Sequence, residues 1–435
     1  GPVNFDAGNQ NYGPDLQKIK QIQNGEWLVV YPDEFAKAGS SVAYPSTDIS
    51  AAGSSEETME EPSGEPIKIG GSLGLTGAFA GPSAGYKVAY DYWVDRVNSE
   101  GGLLGRPVEL IIYDDESTPA TAQSLYQRLI TEDEVDLLLS PFSTAVGGAV
   151  IPLAESNEMI LWNGGFVGVE LFDNSEWMFG SYTYQEPEYP LGIFELIDSL
   201  PEDQRPTTVA IATAQNPFTL GARDGYNGEG GALKFAADRG MEVVVNEEYG
   251  MGVNDVSGII QKAKVADAEL FVALATPNDA SLIARTMDEL DYNPKMVCYC
   301  GSQVTSLAFW PGLDPAGANA FSTVMGWPSD DYSEIGPLAE TITSEFDFPE
   351  MPSYATVALS ILQIMEQAVE ATETLDQATL RDYLLNNEFD TANGTIRFAP
   401  NGTTDFNAAV VQFIDGKNEI VWPADRATAD PVLPE

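Results

Sequence analysis

Two hydroxyl-bearing turns carry the residues best suited to bind a charged small molecule. Leu75-Thr76-Gly77-Ala78 follows the run IKIGGSLGL, and Ser140-Pro141-Phe142-Ser143-Thr144-Ala145 follows VDLLL. Each stands where a strand would hand over to a helix. The first amides of a helix lack intrahelical partners and carry partial positive charge, so a hydroxyl beside them suits a carboxylate or another anion. The alternative use is local: the first turn simply starts a helix, and Ser143 or Thr144 caps one.

Other chemistry is poorly provided for. The chain has no histidine, which removes the commonest general base and the commonest neutral metal ligand. No Walker A sequence, no nucleotide-binding G-x-G-x-x-G at a strand–helix junction, no G-x-S-x-G elbow and no metal-ligand cluster occurs. We therefore expect no catalytic residue, no cofactor and no metal. The 67 acidic residues outnumber the 20 basic ones, for a net charge of −47. Spread along the whole chain, that charge repels nucleic-acid phosphates and anionic membranes and marks either a saline habitat or an ordinary acidic exported protein. Cys298 and Cys300 flank one tyrosine in an apolar stretch. Two strand residues so close along the chain do not bridge easily, so two buried core thiols are expected.

The elements that must position the turns form two series. From Ile67 onward, aliphatic runs alternate with amphipathic stretches: strands at IKIGGSLGL, VELIIYDDE and VDLLLSPF, with helices near 83–100 and 119–131. TVAIATAQ, MEVVVNEEY, LFVALAT and KMVCYCGS repeat the scheme, with helices near 220–239, 256–266 and 280–290. Such alternation calls for right-handed βαβ units and parallel sheets, and ligands of open α/β sheets bind outside the carboxyl ends of strands. The expected fold is α/β: two doubly wound lobes with the ligand cleft between them.

Residues 40–66, rich in Ser, Gly, Pro and Glu, read as a linker. Before it lies a repeat. Gly25, Val30, Pro32 and Ala36 match Gly416, Val421, Pro423 and Ala427 at identical spacing, and Gly1 and Phe5 match Gly394 and Phe398 after a small loop adjustment. Asn24-Gly25 and Asp415-Gly416 predict a β-hairpin in each copy. The expected organisation is an N-terminal arm at 1–39, lobe 1 at 66–183 and 302–388, lobe 2 at 184–301 and 389–424, and a tail at 425–435. The arm is the remnant of a tandem module or an element that docks on a neighbouring copy. No run of about 18 apolar residues occurs and Gly1 has no hydrophobic leader, so a processed mature form is expected.

The stretch from Gly70 to Ala122, with Asn98-x-x-Gly101-Gly102-x-x-Gly105-Arg106 and then a strand ending in Asp114-Asp115, resembles the branched-chain amino-acid and amide-binding receptors of ABC transporters. Similarity continues through Ser140–Ala149, PSYATVALSILQIMEQAVEA and RDYLLNNEFDTANGTIRF, so it spans residues 66–424. The resemblance implies the type I periplasmic-binding fold and a non-enzymatic, periplasmic or cell-surface protein. Such a protein captures an amino acid, amide or other small carboxylate, closes about a hinge and presents it to an ABC permease.

It further implies that the hydroxyls at Ser143 and Thr144, with Phe142 and the loop Gly164-Gly165-Phe166, hold the ligand's carboxylate and amino group. Phe218 would supply an aromatic contact from lobe 2. Where amino-acid-binding members carry an acid for the ammonium, this chain has Asn278 and then Asp279. Either Asp279 serves from one place further on, or the ligand lacks an ammonium. Gln303, Trp327 and Tyr184, with Tyr182 beside the first interlobe crossover, complete the candidates. A sensor or an assembly subunit on the same fold is the competing reading.

Overall fold

The computed structural model describes residues 19–23, 26–31, 61–300, 319–324, 335–345 and 353–433. Residues 1–59 and 60–435 form separate compact units. In the first, β1 (Ile19–Gln23) and β2 (Glu26–Tyr31) pair antiparallel across two intervening residues, the predicted hairpin.

The second unit opens with β3 (Ile67–Leu73), α1 (Ala80–Ser99), β4 (Val108–Asp114), α2 (Pro119–Thr131), β5 (Leu137–Leu139), α3 (Thr144–Ser156), β6 (Leu161–Asn163), α4 (Val169–Asp173) and β7 (Met178–Gly180). Its strands form a parallel sheet in the order β4-β3-β5-β6-β7. The order doubles back at β3, so the loops after β3 and β5 emerge side by side at the carboxyl edge, the place where such sheets bind ligands. The turn joining α1 to β4 does structural work. Gly101, Gly102 and Gly105 take positive φ, and the Asn98 amide brackets Val108 by accepting its N–H at 2.8 Å and donating to its carbonyl at 3.0 Å.

The chain then gives α5 (Leu191–Ser199), β8 (Thr208–Ala214), α6 (Pro217–Asp224), α7 (Ala232–Asp238), β9 (Glu242–Tyr249), α8 (Ser257–Val265), β10 (Leu270–Leu274), α9 (Pro277–Glu289) and β11 (Met296–Cys298). The single helix predicted near 220–239 is two. Gly225, Gly228, Gly230 and Gly231 all take positive φ between α6 and α7, and a Cβ on Gly225 would meet the Glu229 carbonyl at 2.3 Å. That cluster forces a turn that helical periodicity does not reveal. After β12 (Phe321–Val324) come α10 (Ile335–Glu345), α11 (Ser353–Thr372), α12 (Gln377–Asn386), β13 (Glu388–Thr391), β14 (Gly394–Arg397), β15 (Ala409–Ile414) and β16 (Lys417–Trp422).

The second sheet runs β16-β15-β12-β11-β10-β8-β9, parallel from β9 to β12 and antiparallel at β15 and β16. Two expected boundaries shift. β12 belongs to this second sheet although it lies within 302–388. Phe389, Ile396 and Phe398 are buried in the first lobe's core with α1, α10, α11 and α12, although they lie beyond residue 388. Each segment follows its apolar side chains to the core that buries them, and sequence adjacency alone does not report that. Among the described residues, no helix is long and apolar enough to cross a membrane.

The cysteines differ from expectation: Cys298 and Cys300 form a disulfide. Same-face residues in a regular strand stand about 6.6 Å apart, near the limit for a bridge. Here β11 ends at Cys298, and the backbone beyond it draws the two Cα atoms to 5.3 Å, well inside the disulfide range.

Candidate functional site

Ser143 is the most distinctive residue at the carboxyl edge of the first sheet. It occupies the N-cap of α3 with φ of 78°, a left-handed conformation for a residue that is not glycine. Such backbone costs on the order of 1–3 kcal/mol. Its amide donates to the Gly165 carbonyl at 3.1 Å, while its Oγ is buried, makes no cap and has no hydrogen-bond partner among the described residues. The neighbouring Thr144 hydroxyl is committed, donating to the Val167 carbonyl at 2.8 Å. The two hydroxyls, equivalent in sequence, differ in their surroundings: one ties two loops together and the other has no partner among the described residues.

The loop after β6 is rigidly built. Asn163 Oδ1 accepts the amides of Gly165 and Phe166 at 3.0 and 3.1 Å, and Asn163 Nδ2 donates to the Phe166 carbonyl at 2.9 Å. Ser140 Oγ donates to Asn163 Oδ1 and accepts the Gly165 amide, each at 3.0 Å. A Cβ on Gly165 would lie 1.9 Å from the Pro141 carbonyl, so only glycine fits. Gly164 is closed in by Ile361, against which a Cβ would sit at 2.8 Å. The Phe166 ring points into the core between the first sheet and α3, against Gly147, and does not line an opening. Asn163 is the residue sequence reasoning missed here, and Ser140, read only as the start of its turn, is its partner. An asparagine at a strand end before two glycines was the available signal.

The Thr76 turn is occupied from within. Thr76 donates its hydroxyl and its amide to Asp114, at 2.8 and 3.1 Å, and Ser117 donates its hydroxyl to the Thr76 carbonyl at 2.7 Å. Partial burial raises the Asp114 carboxyl pKa, but those bonds and the amides of Glu116 and Leu75 outweigh it and hold the group below the usual aspartate value. A resident carboxylate thus takes the place sequence analysis offers to a ligand anion. Gly77, with φ of 85°, is hemmed in by Glu116 and Ser117.

Aromatic rings connect the two sheets. Phe142 packs against Phe79, Tyr86 and Tyr354 with centroids 5.4–5.8 Å apart. The Tyr86 hydroxyl meets that of Tyr182 at 2.7 Å, and the file continues through Tyr184 and Tyr189 to Phe218, at 5.6, 4.7 and 5.2 Å. Burial, then the neighbouring Tyr182, push the Tyr86 phenol well above its ordinary pKa, so it stays neutral. Tyr184 is buried in the second lobe's core, whereas Phe142 and Phe218 are partly open at the two ends of the file.

On the second lobe, Asn278 is exposed while Asp279, the third residue of α9, is 2% exposed, with no hydrogen-bond partner for its Oδ2 among the described residues. It lies beside Tyr249, whose phenol has no partner among the described residues and is pushed upward in pKa by burial and then by the Asp279 charge. Gln303 and Trp327 lie outside the described residues. A pocket of about 230 Å³ lies elsewhere, among Thr183, Glu388, Arg397, Asp405 and Asn407, and includes none of these residues. Beside it the chain crosses between lobes: Thr183 exchanges hydrogen bonds with Asn407, 2.9 Å from its hydroxyl and 2.8 Å to its carbonyl.

Known proteins share this arrangement. A family model described as periplasmic binding protein matches residues 66–418. A Leu/Ile/Val-binding protein of Rhizobium johnstonii is 22% identical over 350 residues, covering 76% of this chain and 88% of the relative. The branched-chain amino acid transporter substrate binding protein of Streptococcus pneumoniae, solved with isoleucine, has a TM-score of 0.71 at 18% identity and covers 85% of this chain and all of its own. A solute binding protein of an ABC transporter from Rhodopseudomonas palustris, solved with 3,4-dihydroxybenzoic acid, has a TM-score of 0.67 at 18% identity, over 81% of this chain and 95% of that one. With two sheets of this topology, a family model spanning most of the chain and relatives matched over nearly their whole lengths, the chain belongs to the periplasmic binding protein family.

Proposed function

We propose that this protein captures a small organic acid between its two sheets and presents it, by hinge closure, to an ABC permease outside the cytoplasm. The observation that carries the reading is Ser143: a buried hydroxyl without a partner, on strained backbone, at the start of a helix whose first amides attract anions. Both the unpaired hydroxyl and the strain are costs to the free protein that a ligand carboxylate would offset. Phe142 and Phe218, one from each lobe, enclose the apolar part of the ligand. The strands of chain crossing at 181–185 and 404–407 form the hinge. A relative named for Leu/Ile/Val binding, and structures solved with isoleucine and with dihydroxybenzoic acid, support this ligand class.

Asp279 divides the class. If the ligand is an α-amino acid, its ammonium pairs with the unpartnered Asp279 oxygen; if it is an aromatic acid, Asp279 takes no part. Thermal-shift and calorimetric titration against leucine, isoleucine, hydroxybenzoates and short amides test both points, because a ligand of the native state raises the melting temperature by mass action. Stabilisation by amino acids that Asp279→Asn abolishes supports the first form. Stabilisation by aromatic acids that Asp279→Asn leaves intact supports the second. If no carboxylate shifts the melt, the proposal fails.

A further inference from the structure

The arm hairpin and the closing hairpin are built alike beyond their sequence match. β1–β2 pairs Gln23 with Glu26 and breaks register between Ile19 and Lys20; β15–β16 pairs Ile414 with Lys417 and breaks register between Val410 and Val411. Counted outward from each turn, the break falls at the same step and leaves Val30 and Val421 as the extra residues. Hydrophobic alternation does not dictate where a bulge falls, so the shared position ties the two copies together independently of composition. In the C-terminal copy the shape has a use. β15 pairs with β12, Val411 and Ile420 bury against Val324, and Val410 packs on Gly192 of α5. A lone two-stranded hairpin is at best marginal in water.

We infer that the hairpin of β1 and β2 closes the second sheet of a solute-binding body other than this one: a body of the same fold whose edge beside its own β12 equivalent is open. The closing slot of this chain, and of any second copy of it, holds β15 already. Exchange into it would set Lys20 at the position of Val411, which is 1% exposed in an aliphatic cluster; a cation buried there without a partner is strongly disfavoured. β2 departs in the opposite sense. It reads Trp27-Leu28-Val29-Val30-Tyr31, unbroken apolar sequence where β16 carries Asn418 and Glu419. Continuous apolar runs belong to strands covered on both faces. The hairpin is therefore fitted to a body with more apolar cover over β2 and a polar environment at the Lys20 position, and the Ser/Gly/Pro-rich sequence of residues 40–66 has the composition of a flexible linker.

Lysine-directed cross-linking of the full-length protein in its native source, read by mass spectrometry, tests this. Cross-links from Lys18, Lys20 or Lys37 are expected to reach a second body of the periplasmic binding protein family. A denaturing gel then tells whether that body shares the polypeptide or is a separate chain. Cross-links confined to this chain's own sequence, or none, overturn the inference. As a second measurement, a variant lacking residues 409–422 is expected to melt identically with and without residues 1–38. If the arm restores a cooperative melt, it serves this body and the inference is wrong.

Discussion

The loops after β3 and β5 pose the same problem in sequence and solve it differently in space. Both leave the carboxyl edge of one sheet, both enter a long helix, and both carry a hydroxyl. Around Thr76, the hydroxyl and the amide are taken by Asp114 from the end of the adjacent strand β4. Around Ser143, the neighbouring strand β6 ends in Asn163 and two glycines, which hold backbone and leave the hydroxyl unpaired. Whether a helix-start hydroxyl can meet a ligand is thus decided by the end of the next strand in the sheet, not by the turn itself.

The largest effect should come from the part that makes the Ser143 loop possible. Gly165→Ala drives a Cβ into the Pro141 carbonyl, a backbone-on-backbone clash that cannot relax by a rotamer change. A loss of about 3 kcal/mol in unfolding free energy is expected. If denaturant melts of the variant match the parent, the Gly165 loop is not tightly packed and the contrast between the two loops fails.

Next in size is the division of labour between the two hydroxyls. Ser143→Ala removes no hydrogen bond among the described residues and relieves a buried unpaired hydroxyl, so the melting temperature should hold or rise while carboxylate affinity falls by about 10- to 100-fold. Thr144→Ala breaks the bond to the Val167 carbonyl and should do the reverse: about 1 kcal/mol of stability lost, with a smaller change in affinity. Titration calorimetry and melts on both variants separate the roles; equal losses of affinity in the two would show that the hydroxyls act as one.

The fold was largely legible because its signals are local and redundant. The alternation of runs such as VELIIY and LFVAL with amphipathic stretches gives strand, crossover and parallel pairing, and Asp415-Gly416 gives a hairpin whose two turn residues do take φ of 49° and 82°. What escaped was set by contacts between distant segments. The Cys298–Cys300 bridge depends on where β11 stops, the membership of β12 and β13 on which core receives their apolar faces, and the break at Gly225–Gly231 on a cluster of left-handed residues inside an otherwise helical pattern. In the site, types and positions were readable but commitments were not. The sequence offers Thr76, Ser143 and Thr144 as equals, and only the partners Asp114 and Val167 distinguish them. Phe166 looks open in a Gly-Gly-Phe loop and is core because Gly147 makes room for its ring.

The smallest expected effect lies at Asp114, and it probes the other half of the comparison. Its carboxyl pKa is held below the ordinary value by the Thr76 hydroxyl and surrounding amides. A carboxylate with a depressed folded-state pKa stabilises the fold above the unfolded value, near 4, and loses that contribution as pH falls through the folded value. Asp114→Asn keeps the shape but weakens the acceptor, so the variant should melt slightly below the parent at neutral pH. The gap should narrow progressively below about pH 4, while ligand affinity at neutral pH stays unchanged. A gap that persists undiminished into strong acid would mean the loop is held by something other than the ionised carboxylate. A fall in affinity would place the Thr76 turn back in the ligand site and remove the distinction between the two loops.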